Sequence, residues 1–382
     1  MEHREDWDRE RICACALGQT FGYKPVIARS IVEQLGSAAA AFDLDREQRT
    51  RIGIPDGAEE RAARELEHLE KRGCRFLAFR EPGFPALLRD CPDAPAGLYV
   101  RSETPPEALF NRGPAIAVVG TRDLSLYGKE WCPRLVRAIA RGSTERTMIV
   151  SGLALGIDIC AHLAALSDNL PTVAVLPTGI DEVYPHTHRA AAERIAAAPG
   201  SALVTDYPPG TSPQPFTFLR RNRIIAGLSR ATILVESRAK GGGTLTARLA
   251  AGYGREVYAV PGRIDDLRSA GCNRLIAEKV AEIIPSEEDL PRTLGLCPWE
   301  SPQERSRRLM ARVESCAEGP EREALLRLAR LVERERGRTA EELAVRLGVP
   351  LRETVRLAGL LETEGVLTRD LLGRYRMNGE NV

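Results

Sequence analysis

From residue 115 to residue 260, short apolar runs alternate with amphipathic stretches. The runs Ala115–Gly120, Thr147–Ser151, Thr172–Leu176, Ala202–Asp206, Ala231–Glu236 and Glu256–Val260 are dominated by Val, Ile, Leu and Ala. Such runs are typical of strands covered on both faces. Between them, Lys129–Arg141, Ile157–Ser167 and Thr244–Tyr253 carry apolar residues at helical spacing. Strand and helix in alternation predict an α/β fold with a doubly wound sheet. Ligands of such sheets bind beyond the carboxyl ends of the strands.

The flanks read differently. Residues 1–75 place Ile12, Ala16 and Leu17, then Val26, Ile27 and Ile31, then Leu66 and Leu69 at helical spacing, with Gly18, Gly22, Gly36 and Gly53 between them. This predicts a small N-terminal helical domain, SAM- or helix-hairpin-helix-like, built of several short helices. Residues 76–114 hold Pro82, Pro85, Pro92, Pro95, Pro105 and Pro106 and read as an irregular connecting segment, with a short extended piece at Leu98–Arg101. Residues 285–319 are polar and weakly patterned, which predicts a linker. In residues 320–382, Leu325, Leu328, Ala329 and Val332 form one stripe. Thr339-Ala340-Glu341-Glu342 is a capping box, and Gly348 ends the helix that follows it. A third helix over Leu351–Glu362 and a hairpin over Gly365–Met377 complete a winged-helix pattern. Twelve Arg against eleven Asp or Glu in that segment give it no clear basic face. It therefore reads as a protein-contact or structural domain, with duplex DNA binding as the alternative.

Composition narrows the class. Hydrophobic content of 43% permits full cores. No apolar run reaches membrane-spanning length and the N-terminal stretch has no secretory core, so a soluble, cytoplasmic protein is expected, with no membrane association. Nine cysteines form no Cys-x-x-Cys pair, which points to reduced thiols and no zinc site. The net charge of +1 hides a local excess. Residues 215–274 hold eleven basic and four acidic side chains, either a phosphate-attracting field or a solvated basic face.

The candidate chemistry lies in that middle domain. Arg220-Arg221-Asn222-Arg223 opens an apolar helix, and guanidinium forks match phosphate geometry. Gly120-Thr121-Arg122 follows the first strand, and Ser151-Gly152-Leu153-Ala154-Leu155-Gly156 follows the second. Lys240-Gly241-Gly242-Gly243-Thr244 follows the fifth and can present several amides in a concave nest at a helix N-terminus. All are expected to converge on one rim of the sheet. Phe216 and Phe218 either stack a base or pack beneath the arginine helix. The glycine spacing does not match a dinucleotide fingerprint or a Walker loop, so no cofactor is expected. Asp158, Asp181, Asp206 and Glu236 lie near strand ends without a forced pair, His186 and His188 lack further metal ligands, and Ser151 has no nucleophile elbow around it.

In this order the motifs resemble the DNA-processing protein A (DprA/Smf) family. The matching pieces are Val119–Arg122, Ser151–Asp158, Pro177–Asp181 with Tyr184-Pro185, Phe218–Ser229, Gly241–Ala247, Ala259–Gly262 and Ser269–Asn273. Leu219 and the uninterrupted Gly241-Gly242-Gly243 depart from the family's usual proline and serine. The resemblance implies an extended Rossmann-like core over residues 115–284 in a non-enzymatic protein that binds single-stranded DNA as a homodimer, protects it and loads RecA recombinase onto it during natural transformation. Carried over by motif, Arg122 and the arginines around Asn222 would hold phosphates, Phe218 would stack a base, and Gly152, Gly156 and Gly241–Gly243 would shape the pocket. A nucleotide phosphoribohydrolase-like enzyme is the alternative on a related sheet. It needs a glutamate just after the glycine run, and Leu245-Thr246-Ala247-Arg248-Leu249 has none.

Overall fold

The computed structural model describes residues 2–22, 24–297 and 302–378, which form two compact units, one up to residue 297 and one beyond it. Residues 298–301 of the expected linker lie outside the described residues. In the larger unit the strands are β1 (Cys74–Ala78), β2 (Gly97–Arg101), β3 (Ala115–Val119), β4 (Met148–Ser151), β5 (Thr172–Val175), β6 (Ala202–Thr205), β7 (Ala231–Leu234), β8 (Glu256–Ala259) and β9 (Glu282–Ile283). Among the described residues they form one nine-stranded sheet in the order β1-β2-β6-β5-β4-β3-β7-β8-β9. The pairs from β6 through β9 are parallel, as the apolar runs predict.

The sheet is not purely parallel. β1 and β2 extend it antiparallel at the β6 edge. β2 lies in the proline-rich stretch, where Tyr99 and Val100 pair with Thr205 and Val204. The prolines bracket these strands rather than interrupting them, which proline permits at an edge.

Side-chain alternation on β3 shows how the layers form. Ala115, Ala117 and Val119 join a core with Ile224, Ile225 and Ala250 on one face. Ile116 and Val118 join Leu135, Ile139, Ile157 and Ala161 on the other. The first face is covered by the helices Pro215–Leu228 and Gly242–Gly252, the second by Leu126–Gly142 and Ile157–Ser167. The N-terminal helices are Glu2–Phe21, Pro25–Leu35, Ala38–Asp43, Arg46–Ile52 and Ala58–Glu70. The first runs straight through Gly18, and its Cys13–Leu17 segment shares a core with Phe76, Tyr99 and Leu203 of the sheet and with Leu176 just past β5. These helices share a core with the α/β layers.

Where a linker is expected, the structure has the helices Leu290–Thr293 and Pro302–Cys316. Leu309 and Val313 are buried one turn apart in the second, a signal masked in the sequence by the arginines around them. The smaller unit continues with Gly319–Arg334, Ala340–Leu347 and Leu351–Thr363. Its three-stranded sheet has the order β10 (Arg338–Thr339), β12 (Arg374–Met377), β11 (Leu367–Arg369). The Thr339 hydroxyl and Glu342 carboxylate form the expected capping box. No helix among the described residues is long and apolar enough to cross a membrane.

His162, on the helix Ile157–Ser167, is fully buried and its Nδ1 meets the Thr172 hydroxyl at 2.7 Å. Burial, with the nearby Arg221 charge, pushes its pKa down to about 3. A folded-state pKa below the unfolded value means that the unfolded chain binds the proton more tightly. The contribution is complete above about pH 6.5 and is lost as pH falls toward 3, with a limiting slope of about 1.4 kcal/mol per pH unit. Denaturant titrations of the full chain across this window should show His162→Gln losing less stability than wild type as pH falls, by up to about 1.4 kcal/mol per pH unit.

Candidate nucleic-acid interface

β3 is flanked by β4 on one side and β7 on the other, and the helices that follow β3 and β7 leave to opposite faces. This is the topological switch point of the sheet, where the loops diverge and open a crevice. A cavity of about 730 Å³ lies there. Its walls hold Gly120, Thr121, Arg122, Phe218, Arg221, Asn222 and the run Lys240–Gly243. Three of the four segments that the sequence singles out therefore meet at one rim, and the fourth, Ser151–Gly156, reaches the lining through Ala154.

Backbone geometry explains the glycines. A side chain on Gly243 would stand 2.9 Å from the Gly120 Cα, and one on Gly120 would strike Ile157 and the Glu236 carbonyl, so the close approach of the segments after β3 and β7 needs glycine at both positions. Gly156 has φ of +81°, and a side chain there would strike the Thr121 carbonyl. That carbonyl accepts the Ile157 N–H at 3.1 Å, and the Thr121 N–H donates to the Glu236 carbonyl at 2.7 Å. The backbone on the N-terminal side of Arg122 is thus fixed by two neighbouring loops.

Several expected site residues stand behind the lining. The Ser151 hydroxyl donates to the Val118 carbonyl at 2.7 Å and is fully buried. Gly152 offers its carbonyl to Arg221, and Gly156 sits beneath Thr121. The Thr244 hydroxyl donates to the Arg238 carbonyl at 3.0 Å and closes the glycine loop from within. Arg223 is a correction to the sequence expectation of a phosphate ligand. It is absent from the cavity lining, and its guanidinium pairs with Asp206 and donates to the Asp93 carbonyl. Two positions along a helix turn a side chain away from the face its neighbour occupies, which separates Arg221 from Arg223.

The electrostatics favour an anion. Arg221 is 3% exposed, and its Nη1 donates to the Gly152 and Val175 carbonyls at 2.5 Å each. Its Nε has no hydrogen-bond partner. Burial, opposed by Asp158 and reinforced by the nearby Arg122 charge, lowers its pKa to about 10. Asp158 lines the same cavity almost fully buried, and burial raises its pKa. Arg122 and Lys240 are exposed at the rim with no ion pair among the described residues. Glu236, 1% exposed, turns its Oε2 to the Ser125 N–H at the start of the helix Leu126–Gly142. Its Oε1 has no partner.

Phe218 is half-buried, between the two readings the sequence leaves open. The Arg122 guanidinium lies over its ring, 4.5 Å from the centroid, and Tyr184 meets it at 5.5 Å and 71°. Tyr184, Pro213, Pro215 and Arg238 also line the cavity and carry no role in the sequence reading. The tyrosine's only signal is its place in the Tyr184-Pro185 motif, and Arg238 is visible only as one charge among eleven. Among the described residues no group of three His, Cys, Asp or Glu is placed to hold a metal ion.

Comparison with known proteins adds the following. The family model described as DNA recombination-mediator protein A matches residues 75–295. The DNA processing protein DprA of Streptococcus pneumoniae is 36% identical over 225 residues, 58% of this chain and 76% of that one. The protein Smf of Synechocystis is 37% identical over 233 residues, 61% of this chain, and this chain spans 57% of its length. The X-ray structure of the Streptococcus pneumoniae DprA superposes with a TM-score of 0.62 at 29% identity, covering 73% of this chain and 96% of that one. DNA processing protein A of Helicobacter pylori, whose structure is described as showing a single-stranded DNA binding mode, gives 0.51 at 29% identity, covering 58% and 95%.

Asp206→Ala leaves the buried Arg223 cation without its partner, which should lower the stability of the larger unit by about 3–5 kcal/mol. Thermal unfolding measures this loss. Oligonucleotide affinity, measured well below the transition, should match wild type, because the pair lies outside the cavity lining.

Proposed function

The chain belongs to the DNA recombination-mediator protein A family, and on that premise we propose that the switch-point cavity grips single-stranded DNA by its phosphates and presents it to RecA. The observation that carries the reading is the convergence of Arg122, Lys240, the Gly242 and Gly243 amides and the buried Arg221 on one open cavity, the Gly241 N–H being held by the Arg238 carbonyl. These groups offer donors without base-edge readout, so binding should be tolerant of sequence. Arg122, Lys240, Arg221 and Asn222 form the phosphate side, with the glycine loops shaping the floor. Gly152, Gly156, Ser151 and Thr244 hold those groups in place, and Phe218 serves base stacking.

The rest of the reading follows from the mediator role. The protein acts in the cytoplasm as a homodimer, without metal or cofactor, to protect incoming strands during natural transformation. The C-terminal unit is a winged helix used for protein contact rather than duplex reading. Its Arg356 is held by Glu321 and Glu353, while Val345, Leu351 and Val355 are exposed. The hydrolase reading has no support in the glycine-loop helix, since Gly242–Gly252 contains no acid.

Competition between single-stranded and duplex DNA on the full chain tests the assignment. A single strand should displace a labelled single strand, and duplex of equal length should not. Lys240→Ala should weaken binding about tenfold at low salt, with the salt slope reduced by about 0.7 for one lost phosphate contact. RecA should assemble faster on strands carrying wild-type protein than on strands mixed with an Arg122→Ala, Lys240→Ala double variant. Equal competition by duplex, or free base released from a nucleoside monophosphate, would overturn the reading.

A further inference from the structure

All nine cysteines are free thiols, and two of them meet across a helix pair. Cys132 is fully buried on the helix Leu126–Gly142, and Cys160 is half-buried on the helix Ile157–Ser167. Both belong to the core on the sheet face away from Pro215–Leu228. The Cys132 Sγ stands 3.7 Å from the Ile157 carbonyl oxygen. That carbonyl points along its helix toward the turn that carries Cys160, and the two thiols share a hydrogen bond.

Their setting differs from that of the other buried cysteines. Burial pushes the thiols of Cys74 and Cys91 up, and those of Cys13 and Cys272 up to about 12. At Cys160 the hydrogen bond from Cys132, joined by the Lys129 charge, outweighs burial and holds the thiol below its ordinary value. The same bond, together with burial, keeps the proton on Cys132. Lys129 is exposed one turn before Cys132 and has no ion pair among the described residues. Cys160 is also the fourth residue of its helix, where the positive end of the helix dipole favours a thiolate. A partly exposed thiol in a positive field, beside a second thiol, is the arrangement of a redox pair.

We propose that Cys160 and Cys132 form a hydroperoxide-sensitive dithiol, with Cys160 as the attacking sulfur and Cys132 as the resolving one. The Cys160 thiolate attacks one oxygen of the hydroperoxide and the O–O bond breaks. The departing oxygen takes the proton that Cys160 released, leaving as alcohol or water, and Cys160 becomes a sulfenic acid. The Cys132 sulfur then attacks the Cys160 sulfur, the S–O bond breaks, and the hydroxide leaves with the Cys132 proton as water. Two thiols are oxidised to one disulfide and one peroxide is reduced. The new bond ties the helix that follows the Arg122 loop to the helix that Gly156 opens, and it restricts the unfolded chain. No DNA contact enters this chemistry, so its test is independent of the single-strand reading.

Hydrogen peroxide added to the reduced full chain provides that test. Alkylation of the remaining thiols, followed by non-reducing tryptic digestion and mass spectrometry, should show Cys132 and Cys160 lost together, ahead of Cys297 and Cys316. The peptide Glu130–Arg134 should appear joined to Thr147–Arg189, lighter than their sum by two hydrogen atoms, and dithiothreitol should separate them. The melting temperature of wild type should rise on oxidation, and that of Cys160→Ser should not. Cys132→Ser should stop at the sulfenic acid, which a 1,3-dione labels at Cys160. Cys160 still fully alkylated after Cys297 and Cys316 are oxidised would overturn the proposal, as would a disulfide from Cys160 to any other cysteine. The wild-type peptide map decides this even where a serine variant fails to fold.

Discussion

The near-contact between Gly120 and Gly243 brings the loops after β3 and β7 to van der Waals distance at the point where the strand order reverses. That approach brings the amides of the glycine run alongside Arg122, and it brings the Glu236 carbonyl within reach of the Thr121 N–H. A methyl group at either position would wedge the loops apart. The place of Arg122 beside the glycine run in the cavity lining rests on that approach.

Much of this arrangement was legible in the sequence because it is written in short-range pattern. Each of the six apolar runs from Ala115 to Val260 became a strand, since a strand buried on both faces needs no more than a continuous apolar stretch between turns. The switch point followed from the alternation itself. The β1–β2 extension was less legible. Its pairing partner β6 is about a hundred residues away in the chain, and the prolines around β2 argue locally against a sheet. Pro302–Cys316 was hidden for a different reason, because its two buried positions are outnumbered by charged residues on the solvent side.

The site was legible as a set of loops but not as a geometry. Arg221 and Arg223 look equivalent in a basic cluster, yet helical spacing sends one to the cavity and the other to Asp206. The role of Tyr184 depends on a ring contact made from a distant loop, which no local pattern encodes. Phe218 is neither buried in the core nor fully exposed, because Arg122 lies over it. A sequence lists both residues and says nothing of their stacking.

Glu236 bears on which ligands the crevice rejects. Its carboxylate occupies the N-terminus of the helix after β3, the position at which dinucleotide-binding relatives of this sheet receive a pyrophosphate. A fixed negative group there repels a second one. A pyrophosphate at that seat would face the Glu236 carboxylate rather than the open amides of a helix start.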